Sequence, residues 1–181
     1  MARPPLAFRD HPKGRAMTAA DWQDAVDAVW ADAEALGDAE VIRRIDALAA
    51  ELPADDPRGA FETAGARDAA GLEDEAVAGY RRALELGLSG RARVEALIQL
   101  ASTLRNLGRP GEALRLLDEA AAEPQDLGDA VVAFRALALV DLGQERRAAA
   151  ELITALAPHL PQYRRSLAAY VAGLGGDASS A

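Results

Sequence analysis

GLEDEAVAGYRRALELG, residues 71–87, is a helical stretch bounded by glycines, with Ala76, Tyr80 and Ala83 spaced i, i+4, i+7 on one face. A small residue, a large one and a small one again is how a helix meets a close neighbour and then a second one. Two related stretches follow, GRPGEALRLLDEAAAEP at 108–124 and GQERRAAAELITALAP at 143–158. Their leading glycines, preceded by Gly37, are separated by 34, 37 and 35 residues. Self-similarity at this period marks stacked helix-turn-helix units, each unable to bury its apolar face alone.

The units are predicted as follows. A stripe through Trp22, Val26, Val29, Trp30, Ala33 and Leu36 runs to Gly37, and its mate carries Ile42, Ile45, Leu48, Ala49 and Leu52. Ile42 stands where the later units have alanine, so this first unit is degenerate. Asp56-Pro57 caps the second unit, with helices over 57–70 and 73–86. The third is expected over 91–107 and 110–122, and the fourth over 126–142 and 145–157. A last helix over 161–173 presents Tyr163, Leu167, Tyr170 and Val171 on one face. Within units two to four, Ala64, Ala101 and Ala136 lie seven residues before the glycine, and Ala76, Ala113 and Ala148 five after it. Facing each other, these methyl groups let two helix axes approach. Tyr80, Leu117 and Leu152 then wedge the helices, and Ala83, Ala120 and Ala155 admit the next unit.

Composition excludes several classes. A net charge of −9 opposes binding to nucleic acid or to anionic membranes. No apolar run approaches the roughly 18 residues that a spanning helix requires. The absence of cysteine removes disulfides, thiolate nucleophiles and cysteine-based zinc sites. A cytoplasmic location is the expectation. The two histidines, His11 and His159, have no partner histidine one turn away, so neither a metal nor a cofactor is expected. His159 would have to lie beside carboxylates in a cleft for a hydrolase to be considered; an enzyme is not expected.

Residues 1–17 carry Arg3, Arg9, Lys13 and Arg15 against Asp10 and read as a disordered basic tail. Alternatives are that Pro4–Phe8 docks on a helix surface, or that Met17 is the start. Thr18-Ala19-Ala20-Asp21 resembles a capping box, so folding is expected to begin at Thr18. The repeat domain then covers 18–174, with 175–181 as a frayed end.

The three glycine-led stretches, with IQLASTLRNLG at 98–108 and LAPHLPQYRRSLAAY at 156–170, resemble the tetratricopeptide repeat family, in particular small bacterial members. The resemblance implies an all-α superhelical solenoid of about four hairpins plus a C-terminal capping helix, whose first helices line a concave face. Its implied role is a non-catalytic scaffold for a protein or peptide. A peptide-sensing regulator is the alternative. On that face, helical phase selects Arg58, Phe61, Glu62, Gly65 and Asp68, then Glu95, Gln99, Ser102, Arg105 and Asn106, then Ala130, Ala133, Phe134, Leu137 and Asp141. Gln99, Ser102, Arg105 and Asn106 form a polar strip suited to a peptide backbone or a carboxylate, flanked by Phe61 and Phe134. Trp30 is expected in the core and Trp22 exposed on the first helix; the expected contact of a homodimer is the first helix, the last helix or the basic tail.

Overall fold

A computed structural model describes residues 18–124 and 126–174. The expectations for residues 1–17 and 175–181 lie outside the described residues. Among the described residues ten α-helices follow one another: α1 Ala19–Ala31, α2 Ala33–Leu36, α3 Asp38–Ala49, α4 Pro57–Ala69, α5 Glu73–Glu85, α6 Gly90–Asn106, α7 Pro110–Ala122, α8 Gly128–Asp141, α9 Glu145–Leu156 and α10 Arg164–Leu174. Successive helices from α3 to α10 pack on each other, and α4 touches α6 as α6 touches α8. The first helices of the units therefore form one layer of a repeat solenoid and the second helices the other.

Local sequence explains the ends. Thr18 and Asp21 form the capping box, with the Asp21 amide 3.1 Å from the Thr18 hydroxyl oxygen. Asp56 accepts from the Arg58 amide, and Pro57 occupies the first turn. Between the paired helices, Gly108 adopts φ 73°, with Gly71 and Gly143 within a degree of it. A Cβ at these three positions would meet nothing within 4 Å. Glycine is therefore required by the left-handed backbone rather than by crowding.

Ala64, Ala101, Ala136, Ala76, Ala113 and Ala148 are all buried. How tightly they pack is clearest at Gly79, where a Cβ would fall 2.8 Å from that of Ala64. Tyr80, Leu117, Ala83 and Ala120 are buried as well, in one cluster that runs from α4 to α8.

The first unit departs from the count. Its turn is one residue shorter, because α3 begins directly after Gly37 whereas α5, α7 and α9 each leave one residue after the glycine. The fourth residue of the second helix is the buried one in every unit. Here that residue is Val41, and Ile42 is only half-buried. α1 also stops at Asp32, which has φ −101° and ψ 6°, and this break turns the phase of the stripe. Trp22, Val26 and Val29 enter the core. Trp22 is 1% exposed, its indole donates to the Leu48 carbonyl at 2.8 Å, and the Arg58 guanidinium lies over its ring. Trp22 is therefore not an exposed dimer contact. Trp30 is the half-exposed tryptophan.

The other end is less covered than expected. Leu152 is 44% exposed and does not act as a wedge, and Ala155 is half-buried. Tyr163 takes φ 70°, which delays the last helix to Arg164. Its inward stripe is Leu167, Val171 and Leu174, while Tyr163 and Tyr170 face solvent.

Candidate functional site

A cavity of about 630 Å³ opens on the first-helix layer between α1, α4, α5 and α6. Its walls include eight residues expected there from helical phase: Phe61, Glu62, Gly65, Asp68, Glu95, Gln99, Ser102 and Asn106. Trp30, Ala69 and Tyr80 complete it, and these the sequence reading did not place there. Trp30 stands seven residues before Gly37, where the other units carry alanine; so large a residue at that position was the available signal that the first unit's phase slips. By spacing Tyr80 is a wedge; it is fully buried, with its hydroxyl behind the cavity wall against Asp68 and Gln99.

The lining is held by bonds between units. The Trp30 indole donates to Glu62 Oε2 at 2.8 Å, tying α1 to α4. The Tyr80 hydroxyl lies 2.6 Å from Gln99 Oε1 and 3.2 Å from Asp68 Oδ2, and its single proton serves one acceptor at a time. Thr103 Oγ1 lies 2.9 Å from both Asp68 Oδ1 and the Gln99 carbonyl, and its single proton likewise serves one at a time. Asp68 thus links α4, α5 and α6. The rings of Phe61 and Tyr80 stand 6.2 Å apart, tilted by 49°.

Burial, then the Asp27 and Glu95 charges, raise the pKa of Glu62 above its ordinary 4.5, against the opposing bond from Trp30. Burial, with Asp68 and Glu62, likewise keeps the Tyr80 hydroxyl protonated far above the usual range. For Glu62 a raised folded-state value means that ionisation costs stability at neutral pH, and the cost disappears as pH falls through that value toward 4.5. Glu62→Gln retains an acceptor for Trp30. The variant is therefore expected to melt at or above the parent temperature at pH 7, with the gap closing at acid pH. Parallel melts across this range check the sign.

Other expected residues lie elsewhere. Arg58 is clasped by Asp56, with contacts of 2.6 and 3.0 Å. Arg105 pairs with Asp141 at 3.1 Å and reaches Asn106 at 3.4 Å, beside the cavity rather than in it, while its buried Nε has no hydrogen-bond partner among the described residues. Phe134 packs against the main core cluster. With its cations so engaged and Glu62, Asp68 and Glu95 in its wall, the cavity does not suit a carboxylate. His159 lies 3.1 Å from Asp129, both largely exposed, and the nearby Thr154 hydroxyl donates to the Ala150 carbonyl. No group of three or more His, Cys, Asp or Glu side chains among the described residues is placed to hold a metal ion. No helix among them is long and apolar enough to cross a membrane.

The model of a family described as tetratrico peptide repeat matches residues 57–174. No curated protein matches the sequence. Among solved structures, the nearly identical TPR-like repeats of a protein described as a kinesin light chain from Podosopora anserina superpose with a TM-score of 0.60 at 16% identity, covering 88% of this chain and 97% of that one. A Q17M form of the same protein gives 0.60 and 16%, covering 84% and 93%. At this identity the likeness concerns the fold.

Proposed function

The chain belongs to the tetratricopeptide repeat family, and from that premise we propose that it is a non-catalytic adaptor holding an extended segment of a partner protein against the layer formed by α4, α6 and α8. Repeats of this family are generally protein-interaction scaffolds and typically lack catalytic activity. The observation that carries the reading is the placement of the cavity of about 630 Å³ on the first-helix layer. Its walls come from two consecutive units and α1, and the Tyr80, Asp68, Thr103 and Gln99 bonds preorganise them.

Ser102→Phe is the test. Ser102 lies six residues before Gly108, and the same register in the fourth unit holds Leu137, 44% exposed. A large side chain at this position is thus compatible with the fold, but on α6 it would fill the cavity. Peptides selected from an unstructured display library on the parent protein are expected to lose binding to Ser102→Phe while its melting temperature stays the same. Equal binding to both proteins would remove the cavity from the proposal.

Self-association is a second use of the surface. Leu152 and Leu156 on α9 are 44% and 53% exposed, because α10 covers that helix only in part. Apolar residues left bare at an array end favour a homodimer through the C-terminal unit. Leu152→Glu combined with Leu156→Glu should convert a dimer to a monomer by light scattering. An unchanged mass, whether dimeric or monomeric, would reject this contact.

A further inference from the structure

The chemistry of the cavity wall specifies what a bound segment must carry, and the reasoning rests on the adaptor reading above. Two partly exposed aromatic side chains, Trp30 and Phe61, share the wall with Glu62, Asp68 and Glu95, and Tyr80 is fully buried behind them. Among the described residues neither Glu62 nor Asp68 has a cationic partner, whereas Glu95 pairs with Arg91 at 2.8 Å. Asp27 adds a further negative charge close enough to act on Glu62. The arginines on the neighbouring turns are committed to Asp56 and Asp141. An anionic guest would face uncompensated repulsion. A planar cation gains twice, by charge-assisted bonds to carboxylates and by lying on aromatic faces. Guanidinium fits both demands better than ammonium, being flat, weakly hydrated and forked.

The next unit changes character. Phe134 and Leu137 occupy on α8 the register of Gln99 and Ser102 on α6, nine and six residues before the turn glycine. Leu137 is 44% exposed. Neighbouring helices of a layer sit roughly 10 Å apart, which an extended chain crosses in about three residues.

We infer that the cavity between α1, α4, α5 and α6 takes the guanidinium of an arginine on the partner segment, and that an apolar side chain about three residues away rests on Leu137 and Phe134. The acidic half supplies selectivity and the apolar half supplies burial.

The probes are the capped peptide Ac-Ala-Arg-Ala-Ala-Leu-Ala-amide and its citrulline counterpart, which keeps the shape and loses the charge. Each is titrated into the full chain, with binding read from the Trp30 indole N–H resonance by NMR. The arginine peptide should bind about tenfold or more tightly than the citrulline one, the scale of one charge-assisted hydrogen bond. Glu62→Gln should abolish most of that difference, and Glu62→Gln with Asp68→Asn should abolish it; the single variant keeps the test valid if the double one unfolds. Equal binding of the two peptides, both lost in Ser102→Phe, would overturn the arginine inference and leave the adaptor reading standing. Binding of either peptide unaffected by Ser102→Phe would overturn the arginine inference and remove the cavity from the adaptor proposal. If neither peptide shifts Trp30 at millimolar concentration, the arginine inference fails.

Discussion

Tyr80→Ala lowers stability by about 3–5 kcal/mol, the range for deleting a buried aromatic ring, which corresponds to roughly 6–20 °C in melting temperature for a chain of this size. Tyr80 is fully buried in the cluster that joins the second, third and fourth units. Its ring packs against Phe61, and its hydroxyl reaches Asp68 and Gln99 on the flanking first helices. Removing it opens a void at the junction of three helices, α4, α5 and α6, and takes away the one proton that Gln99 and Asp68 share. Tyr80→Phe separates the two effects. It keeps the ring and should cost about 1 kcal/mol, the net value of a buried hydrogen bond. Thermal and urea melts of both variants measure the difference. A Tyr80→Ala protein that melts with the parent would show that the ring does not bridge the units.

Ala113→Leu is expected to destabilise by about 1–3 kcal/mol through overpacking. Ala113 is fully buried, four residues into α7, in the same cluster as Ala101 on α6. Three extra carbon atoms there have no room unless the helix axes move apart, which would disturb the next unit as well. Ala122→Leu is the control. It lies at the exposed end of the same helix, and leucine is nearly as good a helix former as alanine. The first variant should melt several degrees below the second. Equal melting temperatures would mean that the alanines do not set the separation of the helices.

Units two to four could be read directly because each turn spends one left-handed glycine and one further residue before the next helix. A constant offset from glycine to alanine then fixes which face is inward. The first unit was misread for the same reason: Gly37 leads straight into Asp38, so counting from the glycine placed Ile42 where Val41 belongs. The break at Asp32 exchanged the roles of the two tryptophans. Side chains expected on the first-helix layer were placed well where helical phase alone decides, as for Glu62, Gln99 and Ser102. Phase cannot show where a long charged side chain ends. Arg58 and Arg105 fold onto Asp56 and Asp141, and the second of these carboxylates belongs to another unit. That is why the polar strip expected to suit a peptide backbone or a carboxylate became an acidic, aromatic wall. At the C-terminal end, Leu152 looked like a wedge by position, but α10 covers it too sparsely to bury it.

The stacking of one hairpin on the next through small residues is tested most directly by a cysteine pair at Ala49 and Gly59. A Cβ on Gly59 would lie 3.5 Å from that of Ala49, across the junction of α3 and α4, within the spacing a disulfide spans. The chain has no cysteine of its own, so thiol titration and mass spectrometry read the bond without background. Ala49→Cys with Gly59→Cys should oxidise readily and retain parental helicity. Ala47→Cys with Gly59→Cys, where residue 47 is exposed, should keep two free thiols. A folded Ala49→Cys, Gly59→Cys protein that stays reduced under the same oxidant would contradict the stacked arrangement.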